Sequence, residues 1–543
     1  MKTRYGFLCI ISLILYFYTI DLTSTYAAEF FVTNTADTGE GSLREVLQIS
    51  ASNGEFDVIS FQIPKSDPGY NADTGVWTFI PHSRYTILTD PGLMIEGLSQ
   101  RDFIGEDTNP YGPEIEIVGS FDSSVLNGLD VRTSEVQIRH LTLNQFSNTG
   151  IHLENADHCT IAGCYIGTNH SGEEPLGNTY GIILKHSSHN QIVALDTVPN
   201  IISGNPWVGI YLMDSSQFNI VADNIIGMNR TRDDTLGNGL KGNYGGIVIN
   251  NSSNNNEIVN NDITGNAFGI YLWDASSNVL ASNRIGTDQE WKTGFGSRDT
   301  GILILSYSVE SRNNTIMENT IGYSGWYGIY IDGTMCKYNT IIRNSVAENN
   351  SGAIVITGGA NEDMNQPVIQ TVTPEMVTGT ADPDAVIEIF RDDDNECRDY
   401  LGSTASSAAG NFTFSLEGLS LSGYITATAT DGPGNTSGLS NAVAIPASFV
   451  GNTRLAFHFQ LKQNYPNPFN PKTVIPFYLS EGDQTILTVF NLLGEKIEII
   501  LDKWLPAGEH RAVWQPENLP AGIYLYRLTS GRFEAVKKFI YEK

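Results

Sequence analysis

Cysteine is scarce in this chain of 543 residues: there are five, and Cys9 lies in the first twenty residues. The other four, Cys159, Cys164, Cys336 and Cys397, are too scattered in so long a chain to make a disulfide framework. His158, Cys159 and Cys164 could be read as a metal cluster, but there is no CxxC and no evident fourth ligand, so no metal site is expected there. Positive charge is also short, with 31 Lys and Arg against 60 Asp and Glu and a formal charge of −29, which argues against nucleic acid or anionic lipid as a partner. Long apolar runs are missing after Ile20, so no transmembrane anchor is expected in the mature chain. The single apolar run, Phe7 to Ile20, follows Lys2 and Arg4 and precedes Ala27 and Ala28, the layout of a secretory signal peptide over residues 1–28. A retained anchor is the competing reading. That run is shorter than the roughly 20 residues a spanning helix needs, and Asp21 closes it. The mature chain is therefore expected outside the cell or on its outer surface.

Helical periodicity is the next absence, since nothing between about residues 115 and 360 repeats every 3.6 residues. A different repeat fills that stretch. Gly-Ile recurs at Gly150, Gly181, Gly209, Gly246, Gly269, Gly301 and Gly328, with Gly352-Ala353 as a last weak copy. After each comes an Asn-x-Ile or Asn-x-Val motif or a close relative and then the same again five positions on, as at Asn219 and Asn224, Asn256 and Asn261, Asn278 and Asn283, Asn314 and Asn319, Asn339 and Asn344. Cys159 and Cys164 hold those places in an earlier copy. Short apolar alternations broken by Gly and Asn are strands and tight turns, and a period of 23 or 24 residues suits one coil of three short strands, a parallel β-helix. Side-chain alternation points Ile182 and Leu184, Ile210 and Leu212, Ile247 and Ile249, Ile270 and Leu272 inward, and the repeated Asn amides are expected to stack at turns. Three coils carry insertions, Gly167 to Tyr180, Gly227 to Gly245 and Gly286 to Thr300, whose starts lie 60 and 59 residues apart. Long loops alternating with short turns should form a wall along one side.

Residues 32 to 64, VTNTADTGEGSLREVLQISASNGEFDVISFQIP, together with Ile166 to Asn169 and Leu176 to Asn178, resemble the secreted bacterial right-handed parallel β-helix proteins of the pectin-lyase-like fold. The resemblance spans roughly residues 30 to 360 and is specific for fold rather than activity. Independently of it, Ser42 and Glu45 have capping-box spacing, and Leu43, Val46 and Leu47 give an apolar face to a helix able to close the open end of a solenoid. The expected layout is a cap over 29–75 and β-helix repeats over 76–362. The catalytic motifs that such a family carries, an N-T-D followed by D-D and R-I-K, are not found; Arg284-Ile285 is followed by Gly286.

Past about Asn365 the period stops. Residues 366–446 alternate in strands broken by turn residues and resemble a bacterial immunoglobulin-like module. Their acidic run, Asp392, Asp393, Asp394 and Glu396, could hold Ca²⁺ but lacks EF-hand spacing, and a solvated turn is the plainer reading. Residues 455–543, with NYPNPFNP, LPAGIYLYRL and a terminal KKFIYEK, resemble the C-terminal sorting domain of the type IX secretion system. That resemblance implies passage across the outer membrane by that machinery and display at the surface. By composition alone the segment is a small antiparallel sandwich whose Pro and Asn cluster fixes its first turn.

Between the inward pairs, the strand after each Gly-Ile should present an outward column His152, Ile183, Tyr211, Val248, Tyr271, Leu303, Tyr330, and a second one Glu154, Lys185, Met213, Asn250, Trp273, Leu305, Asp332. So apolar a column is unusual for a solvated face. Tyr211, Tyr271 and Tyr330 fall every second coil, about 10 Å apart from the strand spacing. With Trp273 they are the candidate contact face for a polysaccharide or cell-surface glycan, and Trp207, Trp291 and Trp326 lie in turns or loops nearby. The alternative is that they stabilise the sheet or are covered by the long loops or the following module. A lyase or hydrolase would need a base, a cation or paired carboxylates. The outward candidates for those roles are His152, Glu154, Lys185, His186 and Asp214, with Lys185 opposite Glu154 also readable as an ordinary cross-strand ion pair. Two functions stay open: non-catalytic glycan binding or adhesion, and polysaccharide cleavage.

Overall fold

The computed structural model describes residues 28–541 apart from 52–55, 120–125, 196, 243, 288–290, 292–294, 418, 420, 447–459, 463, 465, 466, 468, 470, 471, 480, 481, 492–495, 507, 517, 518, 521 and 532. The leader expected over 1–28 lies outside the described residues save for its last one. Among the described residues no helix is long and apolar enough to cross a membrane. The chain divides into two compact units, one holding residues 1–340, 349–351 and 357–360, the other 341–348, 352–356 and 361–543.

The first unit is a right-handed parallel β-helix. Each coil contributes one strand to each of three parallel sheets, so consecutive coils pair residue for residue. The sheet that follows each Gly-Ile is built from β1 (Asn127–Val131), β2 (Thr149–Glu154), β3 (Tyr180–Lys185), β4 (Val208–Met213), β5 (Gly245–Asn250), β6 (Phe268–Trp273), β7 (Ile302–Leu305) and β8 (Tyr327–Asp332). Its register stacks Ile151, Ile182, Ile210, Ile247, Ile270, Ile302 and Ile329 in one column, and Leu153, Leu184, Leu212, Ile249, Leu272, Ile304 and Ile331 in another. All of these side chains are buried, which is the solenoid core that strand alternation dictates. The glycine before each isoleucine has a steric cause. A Cβ on Gly209 would lie 2.5 Å from the Gly246 carbonyl oxygen of the next coil, so stacking leaves no room for a side chain.

The asparagine ladders form with full satisfaction of their amides. In one, each Nδ2 donates to the next Oδ1 from Asn190 through Asn219, Asn256, Asn278 and Asn314 to Asn339, at 3.0 to 3.2 Å. A second runs Asn200, Asn224, Asn261, Asn283, Asn319 at 2.8 to 3.0 Å. Cys159 and Cys164 start the two rows, each backbone N–H donating 2.8 Å to Asn190 and Asn200. A third row, Asn178, Asn205, Asn238 and Asn266, escapes the sequence pattern because Asn178 and Asn238 lie within insertions. These amides keep turn backbone paired where water cannot reach it.

At the N-terminal end, α1 (Leu43–Ser50) packs against the two strands that begin another sheet, Ala28–Val32 and Asp57–Phe61. Ser42 Oγ caps it by accepting from the Glu45 N–H, while the Glu45 carboxylate reaches back to the Gly41 N–H at 2.7 Å rather than to Ser42 itself. The insertions fold outward over the third sheet, where Met228 and Phe295 cover Tyr165, Ile201 and Ile225.

From residue 361 on, the described strands of the second unit are antiparallel. Strands Val368–Val372, Met376–Thr380 and Asn411–Ser415 form one sheet, and Asp399–Ala405, Val386–Asp392, Tyr424–Thr430 and Val443–Ala444 another, around Ile387, Ile389, Ile425 and Ala427. Its acidic run divides rather than forming one solvated turn. Asp393 and Asp394 are exposed, whereas Asp392 and Glu396 are buried, Asp392 accepting from the Asp394 N–H at 2.6 Å beside Arg398. Further on, a three-stranded sheet (Gln460–Leu461, Thr473–Leu479, Gly508–Trp514) and a four-stranded one (Lys496–Leu505, Asp483–Phe490, Gly522–Ser530, Phe533–Tyr541) enclose Phe469, Phe477, Tyr526 and Phe539. Asn464 fixes the first turn through its N–H to Tyr526 Oη, 3.0 Å, and its amide to Thr473 Oγ1, 3.0 Å.

Candidate functional site

The outward columns of β1 to β8 divide into a charged end and an aromatic end. Register sets Asp130, His152, Ile183, Tyr211, Val248, Tyr271, Leu303 and Tyr330 in line, with Glu154, Lys185 and Met213, then Asn250, Trp273 and Leu305, beside them.

At the charged end, Lys185 Nζ lies 3.1 Å from Glu154 Oε1, and Arg132 Nη2 lies 3.1 Å from Glu154 Oε2. Asp130, only 4% exposed, pairs with Arg84 and with Arg132 Nε at 3.4 Å, and accepts from Asn127 Nδ2 at 3.1 Å. His152 Nδ1 stands 3.6 Å from Asp130. Burial pulls the His152 imidazole below its ordinary range, so it is neutral at pH 7. The Lys185 hydrogen bond, with Arg132 behind it, holds the Glu154 carboxyl below the usual carboxylate range. His186 and Asp214 do not join this cluster: both occupy left-handed turn positions after β3 and β4, His186 exposed and Asp214 bonded to Asn251 at 3.0 Å. Sequence reasoning missed Asp130, Arg132, Asn127 and Arg84. β1 carries Gly128-Leu129 in place of Gly-Ile, and Arg84 comes from before the repeats.

At the aromatic end the rings run on from one to the next: Tyr180 to Trp207 (6.0 Å between centroids), Trp207 to Tyr244 (6.1 Å), Tyr244 to Trp273 (6.0 Å), Trp273 to Tyr211 (6.3 Å) and to Tyr271 (4.6 Å). Tyr244 enters from the end of the second insertion and Tyr307 from the turn after β7, neither marked by the repeat. Asp274 holds the latter turn, accepting from the backbone N–H groups of Tyr307, Ser308 and Val309. The Tyr271 and Tyr307 hydroxyls meet at 3.0 Å, and Asn250 Nδ2 donates 2.9 Å to Tyr211 Oη. Burial pushes the Tyr211 and Tyr271 phenols up, so both are neutral hydrogen-bonding groups.

Exposure redistributes the expected contact face. Tyr271 is 8% exposed, and Tyr211, Tyr330 and Trp273 are half-buried. The open rings are Tyr307 at 65%, Trp326 at 57% and Trp207 at 41%, while Trp291 packs apart on Tyr323. Phe268, Tyr271, Leu303, Leu305, Arg298 and Asp299 line a cleft of about 450 Å³.

Residues 105–308 match the family described as periplasmic copper-binding protein (NosD), and residues 463–542 match the secretion system C-terminal sorting domain. Copper finds no donor set here. Among the described residues no three of His, Cys, Asp and Glu are placed to hold a metal ion, burial pushes the Cys159, Cys164 and Cys336 thiols up to about 12, and His158 is stacked on His189 at 5.0 Å. No curated protein matches the chain. Among solved structures, the Dettilon tailspike protein is 13% identical over 96% of this chain and 98% of its own, with a TM-score of 0.36. The A-module of mannuronan C-5 epimerase AlgE6 from Azotobacter vinelandii is 13% identical over 61% and 98%, TM-score 0.33, and DFA-IIIase from Arthrobacter chlorophenolicus A6 is 15% identical over 60% and 84%, TM-score 0.37. Likenesses this distant carry no argument about chemistry. The chain is a right-handed parallel β-helix protein that ends in a type IX secretion sorting domain, and so is an export cargo of that machinery bound for the cell surface or the medium.

Proposed function

We propose that the exported chain is a non-catalytic glycan-binding or adhesive protein whose contact face is the aromatic end of the β1–β8 sheet. The observation that carries this reading is the unbroken run of rings from Tyr180 to Trp273 with Trp207 open to solvent. Val208, Val248, Tyr271 and Leu303 are buried here with Tyr180, Tyr211, Tyr244 and Trp273 packed against them, so the edge of this cluster is the part that meets solvent, and flat rings with polar tips suit sugars, which offer an apolar face and hydroxyls together. Tyr211, Tyr271 and Trp273 supply the floor, and Trp207 and Trp326 the accessible faces. The sorting domain supplies the address.

Cleavage at the charged end is the second reading, favoured by the gathering of Asp130, His152, Glu154 and Lys185 on one face. A hydrolase needs one carboxyl kept protonated near neutral pH, and Glu154 is held the other way. The Lys185 ammonium is likewise engaged by Glu154. The test is a screen of the exported chain against soluble polysaccharides, with and without Ca²⁺, reading binding, unsaturated uronate absorbance and reducing ends in the same wells. Binding without products is expected. Products abolished by Lys185→Ala would replace this reading with the enzymatic one.

A further inference from the structure

Resting on that reading, the distribution of charge around the aromatic face carries the identity of the ligand one step further. We infer that the face takes an uncharged glycan, lying along the solenoid axis, and discriminates against polyuronates and sulfated chains.

A site for an acidic polysaccharide needs cations free to meet carboxylates or sulfates. At the charged end, three cations share two carboxylates within 3.4 Å: Arg84 on Asp130, Arg132 on both Asp130 and Glu154, and Lys185 on Glu154. Moving up the columns, Ile183, Met213, Val248 and Asn250 bring no cation, and neither do Tyr271, Trp273, Leu303 and Leu305. Arg298, the one cation among the described residues that line the cleft, sits beside Asp299 and donates to the Leu240 carbonyl at 2.8 Å. The chain around this face has a formal charge of −29, so its long-range field repels a polyanion before contact. Apart from Lys241, an exposed lysine whose backbone N–H donates to the Pro206 carbonyl at 2.9 Å, what remains is stacking and neutral hydrogen bonding: rings, the Asn250 amide and phenols that burial keeps un-ionised. Orientation follows from the register. Tyr211, Tyr271 and Tyr330 repeat every second coil, about 10 Å from the strand spacing, which is the scale of two linked pyranose rings.

The experiment titrates the full exported chain with soluble β-glucan and galactomannan as neutral probes, and polygalacturonate and alginate as acidic ones, at low and at 0.3 M salt. Tryptophan fluorescence and affinity electrophoresis give the readout. The expected result is binding to at least one neutral probe, changing less than twofold with salt, and none to the acidic probes. The variant Glu154→Gln, which strips Lys185 and Arg132 of a shared partner, should acquire salt-sensitive acidic binding that the unaltered chain lacks, while leaving neutral binding unchanged. Salt-sensitive binding of polygalacturonate or alginate by the unaltered chain overturns the inference and leaves the glycan reading standing. Silence with all four probes overturns both.

Discussion

Asn256 lies in the middle of one ladder, and its replacement by Ala gives a number that the structure fixes in advance. The side chain is fully buried. Its Nδ2 donates to Asn278 Oδ1 at 3.1 Å and to the Ser216 carbonyl at 3.0 Å, while its Oδ1 accepts from the Asn219 backbone N–H at 2.9 Å and from Asn219 Nδ2 at 3.0 Å. Four bonds at about 1 kcal/mol net each give about 4 kcal/mol, and the Asn219 N–H left without a partner adds about 1–3 kcal/mol. Solenoid stability is a sum of coil and neighbour terms, so the loss should stay local. Hydrogen exchange followed by mass spectrometry should then show amides of residues 216–222, 256–263 and 278–281 exchanging about 10⁴- to 10⁵-fold faster, each 1.4 kcal/mol being tenfold. Glu257→Ala, exposed one residue on, should leave the same amides within about 0.5 kcal/mol of the parent. Exchange within tenfold of the parent in the Asn256 variant would refute the claim that the ladder holds the coils together.

Gly209→Ala should destabilise the first unit by about 1–3 kcal/mol in urea melts, because the new Cβ meets the Gly246 carbonyl at 2.5 Å. Asp90 is buried, with Ser50 Oγ at 3.2 Å, and burial together with the neighbouring Asp57 pushes its carboxyl up to about 6. The folded state therefore holds that proton more tightly than the unfolded chain, so the associated stability is present below about pH 4 and lost as pH rises through about 6; melting temperatures should fall across that window, and Asp90→Asn should flatten the fall. Burial pushes Glu388 in the second unit up to about 7, which gives the same sign and a Glu388→Gln test read from the second unit's own transition. Lys185→Ala should leave glycan affinity within twofold, since Lys185 pairs with Glu154 at the end away from the rings.

The fold was legible because a solenoid repeats its constraints. Gly-Ile marks where the next coil's carbonyl crowds out a side chain, the alternating isoleucines mark the core, and the paired asparagines mark buried turns; all recur at one period. The site was half legible for the same reason. His152, Glu154, Lys185, Tyr211, Tyr271, Trp273 and Tyr330 lie on repeated positions, and their columns follow once the register is set. Asp130, Arg132 and Arg84 were hidden because the first coil departs from the repeat and Arg84 precedes it. Tyr244 and Tyr307 come from segments whose path no period encodes, and the Tyr307 hydroxyl meets that of Tyr271 while its ring stays exposed. His186 and Asp214 misled because they follow the strand directly in sequence, yet the chain has already turned through a left-handed residue there.

The most direct measurement compares the unaltered chain with the double variant Trp207→Ala, Trp326→Ala by fluorescence-independent affinity electrophoresis in a neutral glycan gel, with melting followed on the same samples. Both rings are exposed, so the melts should coincide. The account predicts at least a tenfold loss of retardation; unchanged retardation with unchanged melting would contradict it.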